Sequence, residues 1–161
     1  SFNNKSLEYA QNELRILSGL YGILKPLDFI EPYRLEMGTN TSSIIGSDLY
    51  EFWKDKVTTE INSDMKRNKQ KLLFNLASKE YSMVIDKNNL NYKVINFDFK
   101  KKKEGKHANI GMLIKKLRGC MAKYILKNQI QDTDLIKNFN DLGFKYSDSL
   151  SSSDNFIFLS Q

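Results

Sequence analysis

Residues 91–127 read NYKVINFDFKKKKEGKHANIGMLIKKLRGCMAKYILK, and they contain the two patterns that decide the fold class. Apolar side chains alternate along residues 91–99, which predicts a β-strand. From Ile110 to Lys127 they recur every three or four residues, which predicts an amphipathic helix with Asn109 as its N-cap. A strand that continues through a charged turn, Lys100 to Lys106, into a long helix favours a mixed α/β fold, with a mixed sheet covered by helices.

The same stretch carries the entire positive excess of the chain. Between Lys93 and Lys127 there are eleven Lys or Arg and two acids, a net charge of +9, whereas the other 126 residues carry 14 basic and 17 acidic side chains, or −3. Charge of one sign repels itself unless a polyanion is near, so the asymmetry indicates an acidic partner. The alternative interpretation is a solvated helix face.

Before this stretch, the sequence predicts two helices separated by an irregular segment. Helical spacing of apolar residues predicts the first helix from Ser6 to Leu17, ending at Ser18 and Gly19. The segment Gly19 to Gly38 holds both prolines of the chain and three glycines, which predicts an ordered loop or a pair of short turns. Ser47 is the expected N-cap of a second helix that ends near Arg67.

The remaining elements are expected to be short. Lys71 to Ala77 predicts a strand buried on both faces, and Ser78 is a candidate cap for a helical turn that reaches Val84. Asp132 or Thr133 is expected to begin a short helix to Phe139, ended by Gly143. Two strands, at about residues 144–147 and 155–159, are expected to close a single domain that spans residues 1–161.

Composition excludes several classes of function. The one cysteine, Cys120, cannot form an internal disulfide, and no apolar run approaches the roughly 20 residues that cross a bilayer, so we expect a cytoplasmic protein without a membrane partner. One cysteine and one histidine, His107, are too few for a zinc site and make nucleophilic catalysis a poor hypothesis. No glycine-rich nucleotide motif occurs, and we expect no cofactor.

Two groups of residues are candidates for binding a ligand. On the long helix, Lys115, Lys116, Arg118 and Lys123 are expected to form a row that binds phosphates. In the loop, Tyr33, Arg34 and Glu36 resemble a site for a polar ligand, although Arg34 and Glu36 could equally form a structural salt bridge. Backbone N–H groups at Gly19 and Gly22 could bind a phosphate, although a helix cap followed by a turn is the simpler interpretation.

Five strings, in this order, resemble the YaaA family of bacterial proteins. They are LSGLYGILKPLDFIEPYRLEMG (17–38), LYEFW (49–53), NLASKEY (75–81), KKLRGCMAKYIL (115–126) and a closing pattern of Phe139, Gly143, Phe144, Tyr146 and Ser151. The family's opening Ser-Pro-Ala-Lys segment and first strands do not occur in the sequence. We therefore expect the chain to be a C-terminal part of a longer protein.

The resemblance implies a family-specific α/β fold and a cytoplasmic role in peroxide stress and in control of free iron. It also implies DNA binding through a positively charged cleft and a helix-hairpin-helix-like element, which would be Gly19 to Pro26. The family's basic motif would be Lys115, Lys116, Arg118 and Gly119. The sequence departs from the family in the three-residue separation of Gly19 and Gly22, where two is usual, and in Leu117, where alanine is usual.

Two hypotheses for function follow. The first is a DNA-binding, non-enzymatic protein of the peroxide stress response, whose partner is double-stranded DNA recognised largely without sequence preference, with contacts from Gly19, Gly22, Lys25, Arg34, Lys115, Lys116, Arg118 and Lys123. The second is an enzyme for a small anionic or nucleotide-like substrate. Its candidate polar pocket comprises Tyr33, Glu36, Asn75, Ser78 and Tyr81. No metal ligands are assigned.

Overall fold

The computed structural model describes residues 4–101 and 110–160. These residues form a mixed α/β protein with six α-helices, a two-stranded sheet and a five-stranded mixed sheet, so the predicted fold class is confirmed. The chain divides into two compact units. The first unit contains Ser1–Lys71 and Ala77–Tyr92, and the second contains Leu72–Leu76 and Lys93–Gln161. That residues 1–161 form one domain stays a prediction.

The first unit begins with helix α1 (Asn4–Glu13), followed by strands β1 (Ile16–Ser18) and β2 (Gly22–Leu24). The two strands pair antiparallel, with Ile16 opposite Leu24. The prediction that the first helix extends to Leu17 was therefore wrong. Residues 16–18 pair with a neighbouring strand, and this tertiary pairing overrides the helical spacing of their side chains.

Three further helices complete the first unit: α2 (Ser42–Ile45), α3 (Leu49–Arg67) and α4 (Lys79–Ser82). The N-cap of α3 is Asp48, whose side chain accepts from the Glu51 N–H, so the prediction of Ser47 was wrong by one residue. Ser78 caps α4 as predicted and accepts from the Tyr81 N–H.

The second unit is built on strands β3 (Leu72–Asn75), β4 (Lys93–Lys100), β5 (Asn140–Asp141), β6 (Phe144–Tyr146) and β7 (Asn155–Ser160). Their order is β3-β4-β7-β6-β5, with β4 parallel to both of its neighbours and β6 antiparallel to both of its own. All four residues of β3 are only half-buried, and β3 lies at an edge of this sheet. The expectation that this strand is buried on both faces was therefore wrong.

Helix α5 (Ile110–Lys127) has the predicted bounds and supplies the core of the second unit. Its buried residues Leu117, Met121 and Ile125 belong to one apolar cluster with phenylalanines from β4 and β7. Two of these phenylalanines, Phe99 and Phe158, stack with their centroids 5.6 Å apart. The apolar side of α5 that the sequence pattern predicts is therefore the side that packs in the core.

The C-terminal half of the second unit is less regular than predicted. Helix α6 (Thr133–Ile136) is capped by Asp132 as expected but ends before Phe139, and a 3₁₀-helix spans Asp148–Leu150. Gly143 does not end a helix. With Leu142 it forms the two-residue turn between β5 and β6, and the φ angles of 50° and 77° at these positions are those of a type I′ hairpin.

Part of the predicted charged turn lies outside the described residues. Lys100 ends β4, whereas the lysines after Lys101, His107 and the expected cap Asn109 fall in residues 102–109.

Candidate nucleic-acid interface

Helix α5 carries five cations and no acid. Seven residues on an α-helix turn through nearly two full turns, so Lys116 and Lys123 lie within about 20° of each other around the axis. Lys127 is four residues beyond Lys123 and extends the same side. We call Lys116, Lys123 and Lys127 the lysine face of α5; all three side chains are exposed.

Cys120 lies on this side of the helix, between Lys116 and Lys123. Burial raises the pKa of its thiol first of all, and Asp141, which pairs with the thiol, raises it further. The two lysines act in the opposite direction and lower it. Both ammonium groups are therefore close enough to act electrostatically on one point of the helix.

Arg118 points elsewhere. It lies about 160° around the axis from Lys116, on the side of Lys115, so the four predicted cations form two rows and not one. The Arg118 side chain is half-buried. Among the residues that the structure describes, its Nε is the one buried side-chain nitrogen or oxygen that lacks a hydrogen-bond partner.

Contacts with neighbouring residues constrain the two hairpin glycines, Gly19 and Gly22. The Trp53 Nε1 donates to the Gly19 carbonyl at 2.9 Å. A Cβ at Gly22, where φ is +75°, would lie 2.5 Å from the Trp53 ring, and a Cβ at Gly19 would lie 2.5 Å from the Leu35 carbonyl oxygen. These contacts explain why both positions are glycine, and a phosphate contact at either one stays a prediction.

The element around these glycines differs from the expected one. Strands β1 and β2 flank the turn, so Gly19 to Pro26 is part of a β-hairpin and the helix-hairpin-helix interpretation of this segment was wrong. The sequence did not predict strand β1, because the apolar residues from Leu7 to Leu17 recur at helical spacing.

Part of the candidate polar pocket is assembled in the first unit. The Tyr33 hydroxyl hydrogen-bonds to the Ser18 Oγ, and the Tyr33 ring packs edge-on against Tyr21 with the centroids 5.5 Å apart. Burial raises the pKa of Tyr81, and the charge of Glu80 and the Tyr33 phenol raise it further. The charge of Glu36 raises it as well, so these groups lie near one another.

Other predicted residues have different surroundings. Ser78 is engaged as the cap of α4. Asn75 lies on β3 in the second unit, where its amide donates to the Asn96 Oδ1 at 2.8 Å. The Lys25 N–H donates to the Asp28 Oδ2 at 2.8 Å, and Arg34 is exposed on the loop. Convergence of Arg34 with the cations of α5 stays a prediction.

Sequence reasoning missed three residues of this region. Ser18 binds Tyr33, Trp53 binds Gly19, and Glu80 accepts from the Gly38 N–H at 3.0 Å. All three lie inside motifs quoted above, which was the one available signal: Ser18 in the first string, Trp53 in LYEFW and Glu80 in NLASKEY. The Trp53 contact spans 34 residues and has no local signature.

Comparison with known proteins places the chain in a family. A family model described as "Peroxide stress protein YaaA" matches residues 1–150. The chain belongs to the YaaA family. Among relatives, a UPF0246 protein of Crocosphaera subtropica is 44% identical over 158 residues, which are 98% of this chain and 63% of that protein. A UPF0246 protein of Francisella tularensis subsp. tularensis is 48% identical over 151 residues, 94% of this chain and 59% of that protein.

The YaaA-family chain thus spans about three fifths of the length of these relatives. No helix within residues 4–101 and 110–160 is both long and apolar enough to cross a membrane. In the same described ranges, no group of three or more His, Cys, Asp or Glu is arranged to hold a metal ion.

Proposed function

We propose that this YaaA-family protein acts in the cytoplasm in the response to peroxide stress, and that it binds double-stranded DNA largely without sequence preference. Bound along DNA, it would limit damage linked to intracellular free iron. One observation carries the DNA proposal: α5 presents three exposed lysines on one side and has no acid in its 18 residues. The family supports the stress role.

The chemistry of the lysine face suits a phosphate backbone. Lysine ammonium groups bind phosphates as point charges, and each phosphate neutralised releases condensed counter-ions from the duplex. Binding of this kind depends steeply on salt and little on sequence, because base edges are not contacted. Arg118 is half-buried, and the accessible part of its guanidinium offers a second phosphate contact from the other row.

Residues of the first unit are proposed to add contacts. Gly19, Gly22, Lys25 and Arg34 would reach the same duplex from the hairpin and its loop. Their contribution is testable separately, since none of them lies on α5.

The test is a titration of duplex DNA at several salt concentrations, with the Lys116→Ala/Lys123→Ala double variant. We expect a linear decrease of log affinity with log salt, and a slope in the variant smaller by about 2, because each phosphate contact contributes roughly 0.9. Lys66→Ala/Lys87→Ala, which removes two exposed lysines of the first unit, is the control of equal charge. Absence of binding at low salt, or an equal loss in both double variants, would contradict the proposal.

The stress role is tested in cells that carry the full-length gene. A strain without the gene should die faster in peroxide and recover with the native gene but not with the α5 double variant. Full rescue by the double variant would separate the stress role from DNA binding.

A second candidate is an enzyme for a small anionic or nucleotide-like substrate. The grouping of Tyr33 and Glu36 around Tyr81 in the first unit favours it, because a group whose pKa is shifted, as that of Tyr81 is, often marks a reactive site. If Arg34→Ala and Glu36→Ala leave peroxide resistance intact while Lys116→Ala and Arg118→Ala abolish it, the enzyme hypothesis fails.

A further inference from the structure

An open cleft lies in the first unit between β2 and α3. Its volume is about 440 Å³, within the range of pockets that hold small molecules. The charged residues that line it are Arg15, Lys25, Lys56, Asp28 and Glu60, and Trp53 lies among them. It is neither the lysine face of α5, which belongs to the second unit, nor the group around Tyr33 and Tyr81.

Arg15 and Asp28 of the cleft already have hydrogen-bond partners. Arg15 forms an ion pair with Asp64 and donates to the carbonyls of Gln11 and Leu14. The charge of Glu60 acts on Arg15 and opposes the lowering of its pKa by burial. Asp28 accepts from the Lys25 backbone N–H. Neither carboxylate is bound to a lysine ammonium of the cleft.

The two lysines of the cleft form no ion pair in the part of the chain that the structure describes, although Asp28 and Glu60 line the same cleft. Within residues 4–101 and 110–160, no carboxylate lies within ion-pair distance of the Lys25 or the Lys56 ammonium. Lys56 is nevertheless held in place, because its Nζ lies 4.0 Å from the Phe52 ring centroid and 5.3 Å from that of Trp53. A cation positioned by aromatic rings retains its donors for an anion.

The wall beside these lysines is apolar. Ile23 and Leu24 of β2 are half-buried and line the cleft together with Trp53. Two ammonium groups that form no ion pair in the described chain, beside apolar side chains, match a ligand that has an anionic end and an apolar body. Charged and apolar side chains line the cleft in similar numbers, so the lining can contact both parts of such a ligand.

We propose that this cleft binds a small oxyanion, a phosphate or a carboxylate, that carries an apolar body. Lys25 and Lys56 hold the anion, and Ile23, Leu24 and Trp53 contact the body. The cleft shares Lys25 with the proposed DNA interface, but Lys56 takes no part in that interface and α5 contributes nothing to the cleft lining, so Lys56 variants separate the two proposals.

Trp53 is the one tryptophan of the sequence, so its fluorescence reports on the cleft directly. We expect phenyl phosphate and benzoate to change the emission saturably at concentrations up to about 10 mM, with the tighter of the two identifying the preferred anion. Benzyl alcohol tests the need for charge, and inorganic phosphate tests the need for an apolar body; both should bind at least about tenfold more weakly.

Variants make the test specific. Lys25→Ala and Lys56→Ala should each weaken binding about tenfold, and Lys56→Arg should retain most of it. Lys66→Ala, an exposed lysine on the same helix, should leave affinity unchanged. Calorimetry gives the same affinities without relying on Trp53, whose surroundings change in the Lys56 variants.

Three results would overturn the proposal: no saturable signal with either anion, equal affinity for benzyl alcohol, or equal affinities in Lys56→Ala and Lys66→Ala. Duplex DNA binding by Lys56→Ala should match that of the native protein. Failure of the cleft proposal is thus distinguishable from failure of the DNA proposal.

Discussion

The indole Nε1 of Trp53 donates to the backbone carbonyl of Gly19, 2.9 Å away, and joins α3 to the turn of the β1-β2 hairpin. The same ring packs over Gly22, so closely that even a methyl group there would collide with it. The turn is therefore fixed by one polar and one van der Waals contact from a single side chain.

Gly22→Ala should destabilise the protein more than Gly46→Ala. Both glycines have a left-handed φ, +75° and +79°, so each alanine carries a backbone penalty of about 1 kcal/mol. Only at Gly22 does the added Cβ also meet the Trp53 ring, and overpacking adds about 1–3 kcal/mol. Urea denaturation of the two variants measures the difference. Equal losses would show that the ring moves aside freely.

Asp64→Asn should lower the free energy of unfolding by about 3–5 kcal/mol, because it removes the counter-charge of a mostly buried arginine. Asp64 is buried and pairs with both Arg15 and Arg67, whose side chains are 15% and 57% exposed. Arg67→Ala is the matched control and should lose less than about 1 kcal/mol, since its ion pair is largely solvated. A small loss in Asp64→Asn would contradict this account.

Asp86 should make stability depend on acid pH. The Asn88 N–H and then the side chains of Lys54 and Asn89 hold the pKa of this carboxyl below its ordinary value of 3.8. A depressed folded pKa stabilises the protein above that ordinary value, and the contribution is lost as pH falls through the folded pKa.

Asp86→Asn should therefore be less stable than the native protein near neutral pH, and the difference should shrink progressively below about pH 4. Urea denaturation from pH 3 to pH 7 checks this. Asp55→Asn, an exposed change on α3, should follow the native curve. A difference of constant size across the range would contradict the assignment.

Cys120 should react slowly with iodoacetamide, because burial and Asp141 raise the pKa of its thiol and the thiolate is the nucleophile. At pH 8 the folded protein should react more slowly than the urea-unfolded chain, by about two- to tenfold. Asp141→Asn should speed the reaction, and Lys116→Ala should slow it, since Lys116 lowers this pKa. Equal rates in the folded and unfolded protein would contradict the prediction.

The features predicted correctly from sequence are local ones. The bounds of α5 follow from its apolar period, and Ser78 and Asp132 are caps whose partners lie within three residues. In each case the interaction that forms the element joins neighbours in the chain, so the sequence pattern contains it.

The predictions that were wrong concern segments whose secondary structure depends on pairing with another part of the chain. Helical spacing through Leu17 could not reveal that residues 16–18 pair with β2, and Gly143 was interpreted as a helix end because the β5-β6 pairing was not foreseen. For the candidate pocket, Tyr33, Glu36 and Tyr81 lie near one another in the first unit, and a role of Asn75, which lies on β3 of the second unit, stays a prediction.

The sequence by itself determined the class of fold, the family and the concentration of positive charge, since these depend on composition, period and motif. Tertiary structure alone decided that Trp53 packs on two glycines and that Lys25 and Lys56 line one cleft and form no ion pair in the described chain. The physical reason is that such contacts depend on which faces meet after packing, and chain order does not specify those faces.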